Sequence, residues 1–492
     1  MELGSIIDNF TKRKLLLLEQ LKTADDFVSI QELITTTHWE RKTILKYLDA
    51  LAEDCSSFSS DEIVLIKAEQ AIILSYSTYK SYRSLYLSII NHSLPIKLLQ
   101  DLLLGDSVSI GRCLNEYFIS ESTLKRQLKK LNQLLSTYYL KIAQKKGVFI
   151  LIGAEHQIRI FAYTFFWLLY RGKGWPFTAV AEQKITDLLD YMEEFSRPWN
   201  HSKHRQLHYI LALNLIRYRK SFKIQLSKEQ LHTYFSQAYL DTPRGWLNRF
   251  NYPESEILFF FILSQSHENF LSVPSFKKEI LTFHRATHTE VFESTEQFFD
   301  LFSEQIIPLS EEEREKSYIS IFANHLFCSV FPAFPEEMTG FTNASQFSEQ
   351  FPVLFKKLAN MVEQLERQTQ FSLFKNKDFL IPNYALLFAS LTDITSFESE
   401  ITVCFDTDYP ILMEKRIMDI FESYFGRSFN LTIFFKIDVL DTKFDLLLTS
   451  SFIPCFDEMA TYTIYIPDRL RAQEILDIEK VLIKIQQSKT IK

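Results

Sequence analysis

Glycine is scarce, with 10 in 492 residues. The chain has no G-x-x-x-x-G-K-[ST] loop, no G-x-G-x-x-G following a strand, no G-x-S-x-G elbow and no H-E-x-x-H pair. These absences argue against nucleotide-dependent enzymes, common hydrolases and zinc proteases. The five cysteines (55, 113, 328, 404 and 455) are odd in number, widely spaced and lack a Cys-x-x-Cys pair. Neither a zinc site nor a disulfide framework is expected, and a reducing cytoplasm fits. No apolar run approaches the roughly 18–20 residues that span a bilayer. The longest, Phe161–Tyr170, runs directly into Arg171. Near the N-terminus, Asp8 and Lys12-Arg13-Lys14 precede a short leucine run without a small-residue cleavage site, so no signal peptide is expected. No cofactor and no metal are expected.

Apolar mass is abundant. Hydrophobic residues make up 46% of the chain and phenylalanine alone contributes 45 residues. That excludes global disorder. The length exceeds what one core supports, so three or more domains are expected.

The most informative stretch is Ser107–Gly153. A short amphipathic helix over about Ile110–Phe118 leads to Ser120, whose side chain is suited to cap a second helix from Glu121. Leu124, Leu128, Leu131 and Leu135 recur on one face of that helix. The opposite face carries Ser122, Thr123, Lys125, Arg126, Lys129 and Lys130. The alternating sequence that follows turns at Lys145-Lys146-Gly147. Helix, turn, basic helix and hairpin make a winged helix-turn-helix, whose second helix would enter a DNA major groove. Between Val108 and Gly153 there are eight Lys/Arg against two acids, in a chain of net charge −7. Clustered cations on an acidic protein are the mark of a phosphate-contacting surface.

The same layout occurs earlier. A helix over Phe10–Leu21 precedes Ser29-Ile-Gln-Glu32 and Thr37-His-Trp-Glu40, each spaced as a capping box. The second box would open a helix to about Glu53, with Ile44, Leu48 and Leu51 inward and Arg41, Lys42, Thr43, Lys46 and Tyr47 outward. Glu62–Ser75 would form its wing. Acidic neighbours offset its cations, so weaker DNA binding or a supporting role is expected of this first unit.

From Glu155 to about Ser390 the pattern becomes long aromatic-rich helices, read as two bundles. Residues 1–153 carry 19 basic against 17 acidic side chains, so the remainder carries the negative charge. Such a surface repels DNA and suits regulation or self-association. His201, His204 and His208 lie at helical spacing, and His325 sits alone in an apolar helix. The triplet reads as a metal site lacking further ligands, as a structural cluster, or as phosphoacceptors served by Arg205 or Arg217. His325 by itself reads as a core histidine. Residues 396–492 alternate strand and helix, a small and mainly parallel α/β domain.

The fold class is therefore multidomain and mainly α. Its expected parts are winged helices over 1–80 and 81–153, helical domains over 154–275 and 276–395, and an α/β domain over 396–492. This order of parts, together with the SESTLKRQLKKLN helix, resembles the Mga/AtxA group of transcription regulators. The resemblance implies a cytoplasmic, non-enzymatic regulator of double-stranded DNA, commonly an activator, global or tied to virulence or metabolism. It implies bundles similar to regulatory domains of the sugar phosphotransferase system, with His201, His204 or His208 and His325 as phosphoacceptors served by phosphocarrier proteins. It also implies a last domain similar to enzyme IIB, and a homodimer or higher oligomer formed through the C-terminal half. The sequence departs from a working IIB enzyme. Cys404 is followed by Phe405-Asp-Thr-Asp-Tyr-Pro, bulky and doubly acidic where a phosphate loop needs small residues. Three other functions remain on the sequence: an RNA-binding antiterminator, which would need an all-β N-terminal module, a phosphotransferase component, and a scaffold without nucleic acid.

Overall fold

A computed structural model describes residues 3–22, 26–58, 62–191, 200–225, 253–266, 274–332, 344–435 and 443–490, with 234, 268, 271 and 334 as single positions between them. They form two compact units, one up to Ile262 and one from Leu263 onward. Among the described residues no helix is long and apolar enough to cross a membrane.

The first unit opens with α1 (Leu3–Ile6), α2 (Asn9–Lys22), β1 (Val28–Ser29), α3 (Ile30–Thr37), α4 (Arg41–Phe58), β2 (Ile63–Lys67) and β3 (Ala71–Tyr76). The strands form an antiparallel sheet in the order β1-β3-β2. Then come α5 (Tyr79–Asn91), α6 (Leu94–Leu103), β4 (Val108–Ser109), α7 (Ile110–Glu116), α8 (Glu121–Ser136), β5 (Lys141–Lys145) and β6 (Val148–Ile152), with sheet order β4-β6-β5.

The two modules repeat at an offset of 80 residues. Val28-Ser29-Ile30 recurs as Val108-Ser109-Ile110. Ser29 and Ser109 both cap the helices that follow, accepting from Glu32 N and Arg112 N. His38 and Phe118, also 80 apart, both take left-handed backbone at the turn between the helix pair. Ile44, Leu48 and Leu51 of α4 correspond to Leu124, Leu128 and Leu131 of α8.

Three local expectations change. Thr37 does not cap α4. It ends α3, where its hydroxyl donates back to Leu33 O at 2.5 Å, and left-handed His38 closes the helix. Tyr47 is buried rather than outward, because Phe10 and Trp39 lie against its ring at 5.2 and 5.9 Å. Leu128 is only partly buried, while its neighbour Gln127 takes an inward position.

The unit continues with α9 (Glu155–Tyr170), α10 (Glu182–Tyr191), α11 (His201–Arg219) and α12 (Glu254–Gln265), whose residues from Leu263 onward fall in the second unit. Helix α9 is buried on nearly every side, which its all-round apolar sequence dictates. It packs against α11, where Trp167 and Phe177 meet Tyr209 edge-on at 5.6 and 5.1 Å.

The second unit contains α13 (Pro274–Ala286), α14 (Glu290–Gln305), α15 (Glu311–Val330), α16 (Ala344–Gln350), α17 (Pro352–Thr369) and α18 (Lys377–Leu391). Helices α14, α15, α17 and α18 pack pairwise around Phe298, Phe302, Phe327, Phe379 and Tyr384. The helical pattern over Gln346–Arg367 is two helices, divided at Phe351-Pro352. Proline lacks the amide a continuous helix needs and disfavours helical backbone in the residue before it. The unit closes with β7 (Ile401–Asp406), α19 (Ile411–Phe425), β8 (Leu431–Phe434), β9 (Phe444–Thr449), α20 (Phe456–Met459), β10 (Ala460–Tyr465) and α21 (Ala472–Thr490). Its four strands are all parallel, in the order β10-β9-β7-β8.

Candidate nucleic-acid interface

Helix α8 starts where Ser120 accepts Thr123 N at 3.3 Å, and the Ser120 hydroxyl also meets those of Ser122 and Thr123. Leu124, Leu131 and Leu135 are buried beneath the helix. That inward row fixes its rotation, leaving Ser122, Lys125, Arg126 and Lys129 exposed and Thr123 and Lys130 partly so. Lys125 reaches Glu121 at 3.1 Å, an exposed pair that water and salt screen readily. Arg112 faces Glu116 and Asp101 at 2.9 and 3.5 Å, so its charge is largely answered within the module.

The wing is set by backbone chemistry. Lys145 pairs with Val148, so Lys146 and Gly147 alone make the turn. Both have positive φ, 49° and 79°, the primed turn that suits a twisted hairpin. Lys141, Lys145 and Lys146 are exposed along it. Asn132 ties the wing to α8. Its side chain donates to Ile142 O at 3.0 Å and accepts Ile142 N at 2.7 Å. The only mark this latch leaves in the sequence is an amide one residue beyond an apolar row.

In the first module Arg41, Lys42 and Lys46 are exposed and Thr43 is partly so. Lys46 Nζ lies 5.8 and 5.9 Å from the Phe10 and Tyr47 rings. Where α8 presents Lys129, α4 presents Asp49, which holds Lys67 of β2 at 2.5 Å. The first module thus offers fewer unanswered cations than the second.

The histidines separate by environment. His201 is exposed in the first turn of α11, which Asn200 caps, and His204 is partly exposed. His208 is buried. Its Nδ1 lies 2.9 Å from His204 O and its Nε2 3.3 Å from Thr186 Oγ1, and burial holds its pKa below the usual range. Arg205 pairs with Glu182 and stacks over Trp175. His325 is wholly buried, with Nδ1 near Ser294 and Thr295 at 3.1 and 3.0 Å and Nε2 2.6 Å from Tyr384 Oη. Burial pushes its pKa down to about 3, so the ring is neutral. His284, which the sequence did not single out, is buried similarly between Gln265 and Thr289, also with a pKa lowered to about 3.

In the parallel sheet Cys404 is fully buried beside Phe444 and Leu447, and burial raises its pKa to about 12. The thiol is therefore protonated and shielded. Ile411, Leu412 and Phe452, each more than 80% exposed, lie just beyond the C-terminal ends of β7 and β9, and Phe452 stacks on Tyr465 at 4.0 Å. Among the described residues no group of three acidic, histidine or cysteine side chains is placed to hold a metal.

Residues 78–166, from α5 through most of α9, match the family described as the Mga helix-turn-helix domain. Over 186 residues the chain is 24% identical to a protein described as a trans-acting regulator of Streptococcus pneumoniae serotype 4, a match covering 37% of this chain and 38% of that one. Over 224 residues it is 24% identical to the capsule synthesis positive regulator AcpB of Bacillus anthracis, covering 45% of each. The matched stretch is less than half the length of either relative.

Proposed function

We propose that this chain, which carries a Mga-type helix-turn-helix domain, is a cytoplasmic, DNA-binding transcription regulator that activates its targets. The observation that carries the reading is the exposed basic face of α8 beside a basic wing. Ser122, Thr123, Lys125, Arg126, Lys129 and Lys130 meet the DNA from the helix, and Lys145 and Lys146 meet it from the wing. Phosphate contacts supply affinity, while contacts from the first turn of α8 or DNA shape supply specificity. Arg41, Lys42, Thr43 and Lys46 of the first module make a weaker second contact. Activation is favoured because AcpB is named as a positive regulator.

Control falls to the helical region. His201 and His204 are the accessible phosphoacceptors for phosphocarrier proteins. His208 and His325 have both ring nitrogens engaged and become acceptors only if their surroundings open. Self-association as a homodimer or higher oligomer draws on the exposed apolar side chains of Ile411, Leu412 and Phe452. A phosphotransferase using Cys404 is disfavoured, since a buried, protonated thiol is a poor nucleophile. The test in the cell is genome-wide occupancy together with transcript levels. The wild type should occupy discrete sites and raise transcription nearby, and the Lys125/Arg126/Lys129→Ala variant, expressed equally, should lose both. Equal occupancy by the variant, or no discrete sites for the wild type, overturns the reading.

A further inference from the structure

The end of the histidine-bearing helix grips the segment that feeds the second helix-turn-helix. Arg217, in the last turn of α11, is 1% exposed. Its Nε and Nη2 donate to the two oxygens of Glu155 at 2.7 Å each, and its Nη1 donates to Leu103 O at 2.7 Å. Leu103 ends α6, so Arg217 places a cation where that helix leaves its carbonyls without intrahelical partners. Just beyond α11, Phe222 lies against Gly105, whose φ is +85°. A Cβ there would stand 2.8 Å from the Phe222 ring. Lys220 pairs with Asp106. Three residues of one segment thus seize the chain at 103, 105 and 106, immediately before β4 and the α7–α8 pair.

The grip is anchored from behind. Glu155 also accepts Arg159 Nε at 2.9 Å, and Arg159 pairs with Glu256 and donates to Phe222 O at 2.9 Å. Arg159 and Glu256 are as deeply buried as Arg217. Buried charges tolerate little displacement, because each must keep its partners to offset lost hydration. The same helix, α11, begins at His201.

We propose that Arg217, Phe222 and Lys220 form a positioning clamp through which the histidine-bearing helix sets the placement of the second helix-turn-helix. A shift of α11 cannot leave residues 103–106 in place without breaking the buried hydrogen bond from Arg217 to Leu103 O and the Lys220–Asp106 pair, so it moves β4 and α7 with it. The clamp rests on the reading of α8 as DNA reader only for its consequence in binding.

Hydrogen exchange of the free full-length chain, with DNA affinity measured in parallel, tests it. Arg217→Met removes the buried cation. The Lys220→Ala/Phe222→Ala pair loosens the grip, uncovering the Arg217 guanidinium that the Phe222 ring overlies while keeping every hydrogen-bond partner of the buried Arg217, Glu155, Arg159 and Glu256. Both should speed amide exchange over Gly105–Glu116 about tenfold and weaken DNA binding about three- to tenfold. Arg217→Lys should not restore protection, because an ammonium cannot span the carboxylate and Leu103 O together as the guanidinium fork does. Arg205→Met, which removes a cation of the same helix that holds Glu182 and the carbonyls of Gly172 and Gly174 but nothing at residues 103–106, should leave Gly105–Glu116 unchanged. Wild-type protection of Gly105–Glu116 in both clamp variants overturns the proposal, as does a loosened segment with undiminished DNA affinity. If the wild type binds no DNA, the regulator reading falls and the exchange data alone decide whether the clamp exists.

Discussion

Two small residues carry much of the interface geometry. Gly147 sits at φ +79° in the wing turn with open space around it, so a methyl group there meets no clash. The cost of Gly147→Ala is then purely that of left-handed backbone, about 1–2 kcal/mol. Amides of β5 and β6 should exchange roughly five to thirty times faster, and an unchanged hairpin would contradict the turn geometry. Ser120→Ala removes the hydroxyl that caps α8 and should cost about 1 kcal/mol. Its effect should appear as faster exchange confined to the first turn of α8, with the wing unaffected. Both positions were legible in the sequence, since a hydroxyl before an amphipathic run and a glycine in an alternating stretch are local signals. The left-handed Phe118, 94% exposed, was not, because only tertiary packing of α7 against α8 demands that turn.

Helix α8 and its wing act as one piece because Asn132 bridges them. Asn132→Ala leaves the Ile142 amide and carbonyl without these partners and should cost about 1–3 kcal/mol. If the wing carries phosphate contacts, DNA affinity should fall in Asn132→Ala as the wing loosens. Unchanged affinity in a variant whose wing amides exchange faster would remove the wing from the interface. The order of elements over 9–152 followed from periodicity and caps, although α4 begins at Arg41 without the Thr37 cap and runs on to Phe58, and the parallel sheet followed from alternating strand and helix patterns. What periodicity could not reach was long-range chemistry. Nothing near Arg217 in sequence indicates that its partner is Glu155 or that it holds Leu103, and nothing near Tyr47 indicates that Phe10 and Trp39 cover it. The break at Phe351-Pro352 is marked locally by its proline, within an apolar pattern that runs on either side.

At the scale of the molecule, the buried histidines of the second unit make its stability depend on pH. His284 and His325 have folded pKa values near 3, below the ordinary value of 6.5. The unfolded chain therefore binds protons at these sites while the folded chain does not. Stability is full above about pH 6.5 and falls as pH drops toward 3, by up to about 1.4 kcal/mol per pH unit for each histidine. Thermal unfolding of the second unit should weaken between pH 7 and 5. His325→Gln, which cannot be protonated, should flatten that decline relative to wild type. An equally steep decline in the variant would place the titration elsewhere.

The proposed regulator depends on one contact, that of the α8 face with DNA. Fluorescence anisotropy of labelled duplex, titrated with the full-length chain from low to moderate salt, tests it most directly. Each phosphate contact contributes a slope of about −0.9 in log affinity against log salt. The wild type should bind with a steep negative slope, and Lys125/Arg126/Lys129→Ala should bind more weakly with a slope shallower by about one to three units. Wild-type protein that fails to bind at low salt, or a variant with the same affinity and slope, would contradict the account.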